Sequence, residues 1–100
     1  MKFQVISDLH LEFYEDGQEP YIEIPDNSQE IVLVLAGDIG VGTGAVEWIK
    51  RISKNYYHTI YIPGNHEFYG EVFGEVMINL DSTFSKEKSI TFMNNDYIWL

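Results

Sequence analysis

Ile31-Val32-Leu33-Val34-Leu35-Ala36-Gly37-Asp38 runs six apolar residues without a polar interruption and stops on glycine and aspartate. A strand with one wet face alternates, whereas one covered on both faces reads as a continuous β-branched and aliphatic run, as this does. His58-Thr59-Ile60-Tyr61-Ile62, closed by Pro63-Gly64, and Phe3-Gln4-Val5-Ile6-Ser7 near the start supply two further strands. Residues 45–54 between them carry Val46, Ile49 and either Trp48 or Ile52 at helical spacing. A second helix is predicted over 67–80 on Val72, Val76 and Leu80, with Phe73 and Met77 beside them. Strands separated by helices predict an α/β layered sandwich on a mostly parallel sheet.

The interval from Glu12 to Glu30 is polar and holds no long helix; Tyr21-Ile22-Glu23-Ile24 alternates and predicts a short edge strand closed by Pro25. Downstream, Ser89-Ile90-Thr91-Phe92-Met93, Asn94-Asn95-Asp96 and Tyr97-Ile98-Trp99-Leu100 read as strand, turn, strand. The apolar end predicts that residues 1–100 are the amino-terminal part of a single, incomplete domain. Its missing sheet would come from downstream sequence or from a partner chain.

Each strand hands over to a polar cluster: Asp8-Leu9-His10, Gly37-Asp38, and Gly64-Asn65-His66-Glu67. A parallel sheet binds ligands outside the carboxyl ends of its strands, where all three clusters fall. Asp8 and His10, two residues apart, leave one face if extension continues. A carboxylate with an imidazole suits a borderline divalent cation such as manganese, iron or zinc. Asp38 adds a carboxylate that could bridge two ions about 3.5–4 Å apart. Asn65 offers a neutral amide oxygen. The bland alternative is that Asp, Asn and Gly simply form turns after strands.

Other chemistries are excluded by what is missing. Ile39-Gly40-Val41-Gly42-Thr43-Gly44 lacks the Lys-Ser/Thr of a nucleotide loop, so its glycines turn the backbone into the helix. Ser7 and Ser28 lack the flanking glycines of a nucleophile elbow. His58 opens its strand at the end away from the clusters and reads as a packing residue. Lys50, Arg51 and Lys54 suit a solvated helix terminus. With no cysteine there is neither a disulfide framework nor a thiolate centre. Sixteen acidic against six basic residues give a net charge of -10, which disfavours general attraction to nucleic acid or anionic membrane. A phosphate-bearing substrate stays open, because bound divalent ions invert the local field. Neither a signal-peptide pattern nor a membrane-length apolar run is present, and a cytoplasmic location is the default expectation.

Ser7-Asp8-Leu9-His10, Gly37-Asp38 and Gly64-Asn65-His66-Glu67, in that order, resemble the first three signature blocks of the calcineurin-like metallophosphoesterase family. Asp8-Leu9-His10-Leu11-Glu12-Phe13 is similar to an extended first block in many microbial members. The resemblance implies hydrolysis of a phosphomonoester or phosphodiester, on a small molecule or nucleotide, by a site of two divalent ions. It implies Asp8 and His10 on the first ion, Asp38 bridging both and assisting catalysis, and Asn65 on the second. It implies His66 at the phosphate, assisting the leaving group, with Glu67 as a neighbour rather than a ligand. The later blocks, a histidine after a fourth strand and a Gly-His-x-His element, have no counterpart, because the last histidine is His66. The alternative expectation is a non-catalytic binding or interaction module on a degenerate scaffold of this type.

Overall fold

A computed structural model describes residues 2–14, 18–40, 44–64, 67 and 73–93. Four strands, β1 (Lys2–Ile6), β2 (Ile31–Ala36), β3 (His58–Ile62) and β4 (Ile90–Phe92), form one sheet in the order β1-β2-β3-β4. Every neighbouring pair is parallel. The two described helices are α1 (Val46–Ser53), between β2 and β3, and α2 (Phe73–Phe84), between β3 and β4. The mostly parallel α/β arrangement follows the sequence expectation.

Register sorts the side chains into two faces, because directly paired residues of parallel strands point the same way. Ile6, Leu35, Tyr61 and Phe92 form one row, and Gln4, Leu33, Thr59 and Ile90 the next. These rows meet the helices: Leu33, Leu35 and Tyr61 are buried with Trp48 and Ile49 of α1 and with Val76, Leu80 and Phe84 of α2. Tyr61 meets the Phe84 ring edge-on, with centroids 5.8 Å apart, and Phe92 lies 5.6 Å from Tyr61. Such aromatic pairs add about 0.5–1.5 kcal/mol each beyond their buried area. On the opposite face Phe3 and Val5 of β1 remain 56% and 65% exposed. The double-sided burial read from β2 therefore does not extend to this sheet edge.

Two expectations need correction. α2 continues four residues past Leu80 to Phe84, since Val76, Leu80 and Phe84 repeat every fourth residue and all three are buried. Of its predicted first turns, Glu67 is described and residues 68–72 lie outside the described residues. Tyr21–Ile24 forms no strand. Pro20 and Pro25 remove backbone donors at both ends. Only Ile22 packs towards the core, while the Gln4 side-chain amide donates to the Glu23 carbonyl at 3.3 Å. The polar interval contains instead two short 3-10 turns, Leu11–Phe13 and Ser28–Glu30.

At the far end of the sheet His58 shares a 2.7 Å hydrogen bond between Nε2 and Thr91 Oγ1, and partial burial lowers its pKa. The basic end of α1 is tied down by ion pairs: Lys50 lies 3.4 Å from Glu87, and Arg51 is hydrogen-bonded to Glu19, which raises the guanidinium pKa. No helix among the described residues is long and apolar enough to cross a membrane.

Candidate metal centre

The carboxyl ends of β1, β2 and β3 lie side by side, and the loops leaving them stay hydrogen-bonded after the strands end. The Asp8 amide donates to Gly37 O at 3.1 Å, the His10 amide to Asp38 O at 3.0 Å and the Leu11 amide to Ile39 O at 2.7 Å. This short ladder brings the loop after β1 against the loop after β2. Ligand-type atoms of Asp8, His10 and Asp38 consequently fall within 4.8 Å of one another.

The residues get there by a route that simple extension does not provide. Asp8, His10 and Asp38 have φ of 58°, 50° and 54°, and they are the positive-φ non-glycine residues of the described chain. Left-handed backbone costs an L-residue of order 1–3 kcal/mol, and such strain persists only where the surroundings over-determine it. Asp and His are among the side chains that best tolerate this region. All three such residues are members of one cluster, so the fold concentrates its backbone strain at this point.

The donor set suits a divalent cation. Asp8 and Asp38 supply oxygens and His10 a nitrogen, a combination matching borderline metals. Bonds of about 2.0–2.2 Å place neighbouring donors roughly 3–4 Å apart around an ion. The His10 Nε2 to Asp8 Oδ1 distance is already 3.9 Å, and the Asp8 side chain is 63% exposed and can rotate inward. On the other side of the imidazole, Nδ1 lies 3.5 Å from Glu12 Oε2. A ligating histidine is commonly oriented by a carboxylate on its second nitrogen.

Glu67 occupies the space behind this cluster and is fully buried. Its Oε1 accepts from the amides of Asp38 at 2.8 Å and Gly64 at 2.6 Å. Its Oε2 accepts from the amides of Ile39 at 2.6 Å and Gly40 at 3.2 Å, and from the Tyr61 hydroxyl at 3.1 Å. Burial first, and then the Glu67 charge, push the Tyr61 hydroxyl far above the ordinary tyrosine range, so it remains a donor. Gly64 is required by the same closeness: a Cβ there would sit 2.7 Å from Asp38 Oδ1 and 2.9 Å from the Asp38 amide nitrogen.

Asp8, His10 and Asp38 thus come together as the sequence suggests. Asn65 and His66 lie outside the described residues. Glu67, a mere neighbour when read from sequence, holds a larger place in the structure. Its signal is the spacing Gly64-x-x-Glu67, in which a glutamate reaches back to an amide three residues earlier, as in a capping box.

Residues 1–99 match the family described as calcineurin-like phosphoesterase. Uncharacterized protein L509 of Acanthamoeba polyphaga mimivirus is 35% identical over 72 residues, covering 64% of this chain and 26% of that protein. The crystal structure of Phosphopantetheinyl Hydrolase (PptH) from Mycobacterium tuberculosis superposes with a TM-score of 0.66 at 20% identity. That superposition covers 98% of this chain and 37% of the other, and it shows a shared fold. The chain spans about a quarter of the length of the curated relative it matches.

Proposed function

This chain belongs to the calcineurin-like phosphoesterase family, and from that premise we propose that it carries part of the centre for metal-dependent hydrolysis of a phosphomonoester or phosphodiester. The observation that carries this reading is the convergence of Asp8, His10 and Asp38 within 4.8 Å at adjacent parallel strand ends. Divalent ions held there would supply Lewis acidity towards the phosphoryl oxygens and lower the pKa of a bound water. Asp8 and His10 would hold the first ion. Asp38 would be shared with a second ion, to which Asn65 would contribute its amide oxygen. His66 steadies or protonates the departing oxygen by general acid catalysis. The substrate class is a small-molecule or nucleotide phosphate ester.

The test measures metal content and hydrolysis of bis(4-nitrophenyl) phosphate and 4-nitrophenyl phosphate by the longest open reading frame containing this sequence, beside its Asp38→Ala variant. Divalent metal and turnover, both lost in the variant, are expected. Absence of metal and activity in the wild-type protein would overturn the proposal.

A further inference from the structure

We infer that Glu67 is a positioning residue of the metal centre, a buried carboxylate that sets where Asp38 stands by holding the loops after β2 and β3 together. The inference rests on the metal-centre reading above and assigns a function to a residue that is not itself one of the three clustered ligands.

Three observations converge. Both oxygens of Glu67 are used, with one donor from Asp38 itself, two from the residues directly after it, one from Gly64 and one from Tyr61. Three consecutive amides, those of Asp38, Ile39 and Gly40, point at one side chain, so the turn that carries Asp38 is wrapped around the Glu67 carboxylate. Asp38 is also in the left-handed region at φ 54°, next to Gly37 at φ 84°. Strained backbone of this kind requires outside support, and Glu67 gives it. The support is passed on, because the carbonyls of Gly37, Asp38 and Ile39 accept from Asp8, His10 and Leu11. A single buried carboxylate therefore governs the β2 loop, and through it the β1 loop with its two candidate ligands.

A carboxylate is the group that can do this. It accepts at both oxygens, whereas an amide presents one acceptor and one donor. Glu67→Gln keeps the size but turns an NH2 towards the Asp38 and Gly64 amides, or, flipped, towards those of Ile39 and Gly40. Leu80→Ala serves as a stability control, because it truncates the buried core under α2 and removes no hydrogen bond.

The full chain and both variants are melted, titrated calorimetrically with manganese chloride, and followed by amide hydrogen exchange without metal. Both variants are expected to melt earlier. Glu67→Gln alone should weaken manganese binding, by about 10–100-fold, the usual loss when a supporting residue behind a ligand is removed. It should also speed exchange at Asp8, His10 and Leu11, whose amides bond to the β2 loop and not to Glu67. Wild-type manganese affinity in Glu67→Gln, an equal loss in Leu80→Ala, or faster exchange confined to the amides that Glu67 itself accepts would each overturn the assignment. If Glu67→Gln does not fold, Glu67→Asp, with both acceptors but one methylene less reach, is read in the same way. If the wild-type chain takes up no manganese, the metal-centre reading falls, and the exchange measurement alone decides whether Glu67 positions both loops.

Discussion

At Asp8 left-handed backbone coincides with a candidate metal ligand. Its backbone is left-handed at φ 58° while its side chain is largely in solvent, so neither packing nor an apolar contact explains the conformation. Left-handed backbone costs an L-residue roughly 1–2 kcal/mol, a cost that glycine avoids. Asp8→Gly should therefore raise the metal-free stability by about 1 kcal/mol relative to Asp8→Ala, which keeps the Cβ and loses the carboxylate. Both should lose most manganese affinity. Thermal melts without metal, paired with manganese titrations, check the two effects separately, and equal melting of the two variants would show that no strain resides there. The residue scale also marks a limit of sequence reading. Asp8, His10 and Asp38 were legible as candidate ligands from their places after apolar runs. Their shared positive φ was not, because it arises from the ladder between two loops that are distant in sequence.

Among elements, the decisive contact is between two strand-end loops rather than between helices. Gly37 and Gly64 abut backbone to backbone, so closely that a Cβ on Gly37 would lie 3.2 Å from Gly64 Cα. Gly64→Ala would place a methyl group 2.7 Å from Asp38 Oδ1, and that oxygen must move. Overpacking typically costs about 1–3 kcal/mol. Here the displaced atom is itself a candidate ligand, so manganese affinity is expected to fall at least tenfold, along with a lowered Tm. Calorimetric titration of folded Gly64→Ala checks this, and wild-type affinity would show that Asp38 reaches the metal by another rotamer. The strands and α1 were legible because continuous apolar runs and three-to-four spacing are local signals. The end of α2 was not, because Asp81-Ser82-Thr83 masks a repeat that resumes at Phe84. The supposed edge strand at 21–24 shows the converse failure: alternation existed, but the stretch is tied to β1 through the Gln4 side chain and joins no sheet.

For the whole molecule, an order-1-2-3-4 parallel sheet gathers its reactive groups at one end and its helices on one face, and a chain with net charge -10 sets two carboxylates together at that end. Sequence order and the strand-helix rhythm were enough to place the fold class and to point to the strand ends where Asp8, His10 and Asp38 cluster. What the chain could not disclose locally is the reach of Glu67 beyond Gly64, because the amides of Asp38, Ile39 and Gly40 that it accepts from belong to a loop distant in sequence. Without an ion, the Asp8 and Asp38 carboxylates repel each other within the centre. A divalent cation that binds the folded chain in preference to the unfolded one removes that repulsion and shifts the folding equilibrium by mass action. At a concentration a hundredfold above Kd the stabilisation is about 2.7 kcal/mol. With about 4–8 °C per kcal/mol for a domain of this size, manganese should raise Tm by roughly 10–20 °C. Magnesium, which prefers all-oxygen sites, should do less at equal concentration, because one donor of the cluster is the His10 nitrogen. The shift should vanish in Asp38→Ala. Scanning calorimetry of both proteins with each chloride salt settles the matter: an equal rise for manganese and magnesium, or one that survives in Asp38→Ala, would mean that the ions merely screen the acidic surface and do not enter the centre.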